Sequence, residues 1–280
     1  MCNTCGCNVT AGNRHLVFNS PAKQPVTAVS VLSNLLKHND QQAESNRSLF
    51  DLNGVLAINL MSSPGSGKTA LLEATIRQLK TKLKIAVIEG DLETENDAER
   101  IRAQGVPAYQ ITTGTACHLD AHLVEQALGH LDLAAIDLLF IENVGNLVCP
   151  ASFDLGHHRN VTLLSVTEGD DKPAKYPVMF RAADVMLITK TDLLPYLSDF
   201  STEKAESCQR QLASQAPVLQ VSSQSGAGLQ AWLDWLEDEV KQHKNRIKHQ
   251  QTLRPFIQAD GQTLHKQVQA SPFKPLIQPG

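Results

Sequence analysis

Positive charge is in short supply in this chain of 280 residues: Lys and Arg total 25 against 29 Asp and Glu, a formal net charge of −4. A nucleic-acid coat or a membrane-surface protein needs a basic field, so neither class fits. Long apolar runs are missing too, and none approaches the ~18 residues of a membrane span. The first residues, Met1-Cys-Asn-Thr-Cys-Gly-Cys7, have neither the basic flank nor the apolar stretch of a signal peptide, so the expected location is the cytoplasm. Disulfide spacing is also lacking. Cys2, Cys5 and Cys7 crowd together, whereas Cys117, Cys149 and Cys208 lie far apart. In a reducing compartment such thiols are metal ligands or buried apolar side chains.

What is present divides the chain into segments. Residues 1–8 form a cysteine cluster. Residues 9–29, with Gly12, Pro21 and Pro25 and no periodicity, read as a flexible linker. Val31, Leu32, Leu35, Leu36 and Leu49 predict a helix over 30–50 whose second half is weakly patterned. Residues 54–242 carry the strongest pattern, in which short apolar runs alternate with amphipathic stretches. Strands are expected at 55–61, 84–89, 106–111, 137–142, 161–167, 185–189 and 218–221. Helices are expected at 69–80, 96–104, 119–128, 203–212 and 229–241. Strand–helix alternation implies parallel crossovers, hence a doubly wound, mainly parallel α/β sheet with ligands outside the carboxyl ends of its strands. Residues 30–247 form this domain, and 248–280 read as a mobile tail.

The first expected strand runs into Ser62-Ser-Pro-Gly-Ser-Gly-Lys-Thr69, and a helical pattern follows at once. This is the phosphate-loop pattern G-x-x-x-x-G-K-[ST] with Ser62 at the first glycine. Pro64, Gly65, Ser66, Gly67, Lys68, Thr69 and Ala70 are therefore candidate nucleotide contacts. Gly65 and Gly67 let backbone amides converge on phosphate, Lys68 neutralises the β- and γ-phosphates, and Thr69 binds Mg²⁺. Two acids end strands nearby: Asp91, a second candidate Mg²⁺ ligand, and Glu142, counted with Lys68 and Thr69 as catalytic. Gly145 can move with a γ-phosphate. After the sixth strand, Thr189-Lys-Thr-Asp192 stands where guanine-binding proteins carry N-K-x-D. Asp192 would accept from guanine N1–H and the 2-amino group, which adenine lacks. Lys190 would lie along the base, and Ser222 and Ser223 would meet guanine O6. No side chain is assigned to activating water, in keeping with a slow, Mg²⁺-dependent hydrolysis.

These residues resemble the HypB-type nickel-incorporation GTPases of hydrogenase maturation. The likeness rests on Cys2-x-x-Cys5-Gly-Cys7, Ser63-Pro-Gly-Ser-Gly-Lys-Thr69, Ile88-Glu-Gly-Asp91, Cys117-His-Leu-Asp120, Ile141 through Asp154, Ser165-Val-Thr-Glu-Gly169 and Asp192-Leu-Leu-Pro-Tyr196. It covers roughly residues 48–238 together with the first seven. Thr189 departs from the usual Asn, and nothing carries over to the tail. Cys2, Cys5 and Cys7 can wrap one ion with the α-amine of Met1, in square-planar geometry for Ni²⁺ or tetrahedral for Zn²⁺. The resemblance favours Ni²⁺ there. It also implies a second site, for Ni²⁺ or Zn²⁺, at Cys117, His118 and Cys149, residues that singly read as buried thiols and a surface imidazole. His122 is a possible accessory ligand one helical turn on, and His157 and His158 are expected at the surface. The resemblance further implies GTP as substrate, a GTP-favoured homodimer, a HypA-type nickel accessory protein and the [NiFe]-hydrogenase large-subunit precursor as partners. A P-loop kinase would need an Arg-rich lid and an adenine site. A metal-storage protein would leave the phosphate loop idle.

Overall fold

In the computed structural model the described residues are 28–91, 96–114, 116–212 and 214–255, with side chains from residue 36 onward. The Cys2–Cys5–Cys7 cluster, the linker up to residue 27 and residues 256–280 lie outside them. The apolar runs form seven strands: β1 (Leu56–Ser62), β2 (Ile85–Asp91), β3 (Ala108–Thr112), β4 (Leu138–Glu142), β5 (Arg159–Ser165), β6 (Val185–Thr189) and β7 (Val218–Gln220). Their order is β3-β2-β4-β1-β5-β6-β7, and every neighbouring pair is parallel. β1 lies between β4 and β5 and is buried along its whole length, so it reads as a continuous apolar run. The chain departs to opposite sides of β1, which makes the end of β1 the topological switch point.

Helices are α1 (Ala28–Asn53), α2 (Lys68–Leu79), α3 (Asn96–Arg102), α4 (Ala121–Leu128), α5 (Lys172–Lys175), α6 (Pro177–Arg181), α7 (Thr202–Gln211) and α8 (Leu229–Lys248). The strand period of two sorts side chains between two cores. Leu56, Ile58 and Leu60 pack with Leu72 and Ile76 of α2 and Trp232 and Leu236 of α8. Ala57, Ile88 and Leu139, on the other face, pack with Phe50 of α1 and Val124 of α4. The buried Trp232 indole donates to Thr75 Oγ1 at 2.9 Å, so its polar edge is satisfied.

Three expectations need correction. His157 and His158 are buried, not exposed. His158 Nδ1 accepts from the Ala57 N–H at 2.9 Å, and its Nε2 lies 3.1 Å from Asp51 of α1. Helix α8 runs on to Lys248, and the segment after it packs rather than leaves: Leu253 is buried, and Arg254 Nη2 donates to both Glu44 carboxylate oxygens at 2.7–2.8 Å. The expected tail is therefore part of the domain as far as residue 255. The weak pattern of α1 also has a physical reason, because its buried stripe includes Asn39, Asn46, Arg47 and Asp51. Arg47 Nη2 donates to both oxygens of Asp154 at 2.7–2.8 Å. Burial pushes the Asp154 carboxyl up, but Arg47, His157, the Gly156 N–H and Arg254 together outweigh it and hold the group below its usual range.

Candidate nucleotide and metal sites

The phosphate loop leaves β1 at Ser62 and enters α2 at Lys68. Gly65 and Gly67 take φ +73 and +95, the left-handed region that a side chain resists. Ser62 is built into the loop rather than a passive replacement for glycine. Its Oγ donates to the Ser63 carbonyl at 2.7 Å and accepts from Lys68 Nζ at 3.0 Å and from Ser66 Oγ. Lys68 is buried. Its Nζ lies 3.9 Å from Glu142 Oε1, and the same oxygen accepts from Thr69 Oγ1 at 3.1 Å. A cleft of ≈ 430 Å³ opens here, lined by Pro64, Gly65, Lys68, Thr69, Asp91 and Glu142 among others.

Glu89 is a member of this group that the sequence reading missed. It stands opposite Glu142 in the register of β2 and β4, and both carboxylates are buried. Burial pushes both carboxyls up; the charge of Glu142 pushes Glu89 further, and Lys68 pulls both down. Glu89 Oε1 and Glu142 Oε2 have no hydrogen-bond partner. Two orphaned carboxylate oxygens beside a threonine hydroxyl, with Asp91 half-buried at the end of β2, form a hard-oxygen donor set that fits Mg²⁺.

A second cleft of ≈ 490 Å³, lined by Ser66, Gly67, Ala70, Thr189, Lys190, Asp192 and Ser223 among others, shares Gly67, Ala70 and Lys190 with the first. One nucleotide can therefore reach from one to the other. Thr189, in the Asn position, donates from Oγ1 to the Ser66 carbonyl at 2.7 Å and so ties β6 to the loop. Lys190 Nζ donates to the Gly65 carbonyl at 2.6 Å. Ser222 is fully buried and donates to Asp192 Oδ1 at 2.6 Å. It orients Asp192, whereas Ser223 and Gln224 line the cleft.

Cys117 and His118 lie in the loop before α4, not on the helix, which begins at Ala121 with Asp120 as its cap. Cys149 comes from the loop after β4. The Cys117 and Cys149 sulfurs are 3.2 Å apart, and His118 Nδ1 is 3.8 Å from Cys117 Sγ. His118 is stacked on Phe153, ring centroids 4.0 Å apart. Burial lowers the His118 pKa and so favours the neutral imidazole that binds metal. Burial and the bond to Cys117 push the Cys149 thiol up to about 11, so ion binding here would release protons. An S₂N set fits Zn²⁺ or Ni²⁺. His122 is exposed and outside the group.

Asp51, His158 and His243 form a second buried cluster of ligand-type atoms, all within 4.8 Å of one another. The ring nitrogens argue against an ion there. His158 Nδ1 accepts a backbone N–H, so its proton sits on Nε2, facing Asp51, where a metal would have to bind.

The two sites share a connecting segment. The Asn146 N–H donates to the Ser62 carbonyl at 2.8 Å. Its side chain donates to the Cys117 carbonyl at 3.3 Å and accepts from the Val148 N–H at 2.8 Å. A Cβ on Gly145 would meet Pro64 at 2.8–3.0 Å, so this segment rests directly on the phosphate loop.

A parallel α/β sheet with a phosphate loop at its switch point and a cleft-lining Asp192 after β6 is the arrangement of a P-loop GTPase. The comparisons place it more closely. Residues 56–220 match the family model described as CobW/HypB/UreG, nucleotide-binding domain. A hydrogenase maturation factor HypB of Azotobacter vinelandii is 50% identical over 232 residues, covering 83% of this chain and 76% of the relative. Among solved structures, HypB from Helicobacter pylori in complex with nickel is 42% identical, with TM-score 0.70 over 74% of this chain and 97% of that one. HypB from Archaeoglobus fulgidus is 39% identical, with TM-score 0.69 over 73% and 100%. The chain belongs to the CobW/HypB/UreG family and, within it, to the HypB-type hydrogenase maturation factors, which are GTP-hydrolysing. Among the described residues no helix is long and apolar enough to cross a membrane.

Proposed function

We propose that this chain is a nickel metallochaperone whose GTP cycle controls the ion held by Cys117, His118 and Cys149. In this reading Lys68 and the loop amides from Gly65 to Thr69 bind the phosphates, and Asp192, oriented by Ser222, selects guanine. Thr69, Glu142, Glu89 and Asp91 hold Mg²⁺, which when bound would neutralise charge on the β- and γ-phosphates. Cys2, Cys5 and Cys7 hold a separate nickel ion, so the chain would receive nickel from a HypA-type accessory protein and deliver it to the [NiFe]-hydrogenase large-subunit precursor. A homodimer favoured by GTP would complete the three-ligand centre with a group from a second copy.

The observation that carries the reading is Asn146, bonded at once to Ser62 of the phosphate loop, to Cys117 and to the approach to Cys149. A γ-phosphate that shifts residues 142–149 would move Cys149 relative to Cys117 and His118, and such linkage is reciprocal. The test is nickel and zinc titration with GDP and with a GTP analogue, alongside mass measurement, on the parent and on Cys149→Ala. A coupling of ~1–3 kcal/mol is expected in the parent, with a heavier species in the analogue state. Identical affinity and mass in both states would reject the coupling.

A further inference from the structure

Helix α1 docks on the domain through buried amides as much as through apolar side chains. Asn39, Asn46 and Arg47 are buried alongside Ala43 and Phe50. A buried amide is costly unless it is bonded, so its partners show what the helix grips. Asn39 Nδ2 donates to the Asp154 carbonyl at 2.8 Å, while its Oδ1 accepts from the Ala121 N–H at 2.9 Å. Asn46 Nδ2 donates to the Ala121 carbonyl at 2.8 Å and to the Leu155 carbonyl at 3.1 Å. Arg47 closes on the Asp154 carboxylate. Each asparagine thus bridges the same two segments. One starts just after Cys117 and His118, and the other follows Cys149 through the short turn Pro150–Ser152. The fit is close, because a Cβ on Gly156 would fall 2.5 Å from the Ala43 carbonyl oxygen. Between the segments His118 is stacked on Phe153, the neighbour of Asp154.

We infer that α1 positions the Cys117–His118–Cys149 centre, with Asn39 and Asn46 fixing the separation of its two ligand-bearing loops and so setting its metal affinity. This rests on the reading of that centre as a metal site. Neither asparagine touches the ligands; they are positioning residues acting through the Ala121, Asp154 and Leu155 backbone. Reciprocity gives the regulatory consequence. Metal at the centre holds α1 on the domain, and α1 is the first described helix after the segment that carries Cys2, Cys5 and Cys7 in the sequence.

The test uses the full chain with Cys2, Cys5 and Cys7 changed to Ser, leaving one thiolate centre, and Co²⁺ as the probe. The parent should bind Co²⁺ with thiolate charge-transfer and d–d bands. Asn39→Ala and Asn46→Ala should each bind roughly 10-fold or more weakly, the usual scale for losing an outer partner of a metal site, with shifted d–d bands. GTP hydrolysis should stay at the parent rate. Asn53→Ala is the control: its side chain donates only to the Leu49 carbonyl of its own helix, so affinity and spectrum should not change. If an alanine variant fails to fold, Asn39→Asp keeps the acceptor for Ala121 while setting a carboxyl oxygen against the Asp154 carbonyl, and it should still weaken Co²⁺. Folded variants with the parent's affinity and bands would overturn the positioning role while leaving the centre intact. A parent that binds no Co²⁺ would overturn the centre and this role together.

Discussion

Lowering the pH from 7.0 to 5.5 should withdraw part of the stability of the metal-free domain through its buried histidines: His118, His157, His158 and His243 all have lowered pKa values, the last three most strongly. Burial lowers His157 to about 4, with Asp154 pulling the other way. It lowers His158 well below its usual range, helped by the Arg47 charge, and His243 to about 2, helped by His158. The unfolded chain takes up protons on these rings as the pH falls through ~6.5, and the folded chain does not. Their stabilising contribution is therefore complete above that value and lost below it. Between pH 7.0 and 5.5 each ring forfeits about 1.3 kcal/mol, or about 4 kcal/mol for the three, a large part of a typical domain stability. Asp51, Glu89 and Glu142, whose carboxyls burial pushes up, work in the opposite direction, so the histidine contribution is read from a variant against the parent. The assay is urea unfolding at the two pH values with a chelator present. His243→Gln removes one titrating ring and should change the difference between the two pH values by that ring's share of about 1.3 kcal/mol, whatever it does to stability at pH 7.0. A change between the two pH values that is the same in His243→Gln as in the parent would refute the placement of that ring.

Lys68→Ala should abolish GTP hydrolysis while circular dichroism shows the fold retained; a parent rate would remove the loop from the phosphates. Asp192→Asn should move nucleotide preference from guanine towards xanthine, and Ser222→Ala should weaken GDP binding roughly 5- to 10-fold through loss of one orienting hydrogen bond. Unchanged affinities in competition binding would take both residues out of the base site. Gly145→Ala should weaken binding of a GTP analogue, because the new Cβ would lie 2.8–3.0 Å from Pro64; a parent dissociation constant would show that the segment yields without cost.

The sheet was legible because its inner strands are buried on both faces, and a run such as Leu56–Met61 can hardly be anything else. The phosphate loop was legible because Gly65, Gly67, Lys68 and Thr69 answer a local need of the backbone and the phosphates. Helix α1 was only half legible, since a buried stripe containing Asn39, Asn46, Arg47 and Asp51 has no apolar period to detect. His157 and His158 look like loop residues for a related reason. What buries them is remote in sequence: Asp51 and Ala57 for His158, and a core reached only when β5 pairs with β1.

Glu89 shows the same limit inside the site. It shares a strand face with Asp91, and that period of two was the available signal. What makes it part of the site is its register opposite Glu142, which exists only once β2 lies against β4. The buried amides across the sheet belong to the same class. Asn59 donates to Asn160 at 3.1 Å, and Asn143 donates to Asn59 at 3.2 Å. Asn143 Oδ1 in turn accepts from the N–H of Leu119, the residue after His118, at 3.1 Å. The line crosses β5, β1 and the end of β4 and reaches the cysteine–histidine loop. Buried amides tolerate little displacement, because each broken bond leaves an unsatisfied group costing about 1–3 kcal/mol. An apolar contact between the same elements could slide at far smaller cost. The side chains least visible to a hydrophobic pattern, Asn59, Asn143 and Asn146, are therefore those that tie β5, β1 and the phosphate loop most firmly to the segments carrying Cys117, His118 and Cys149.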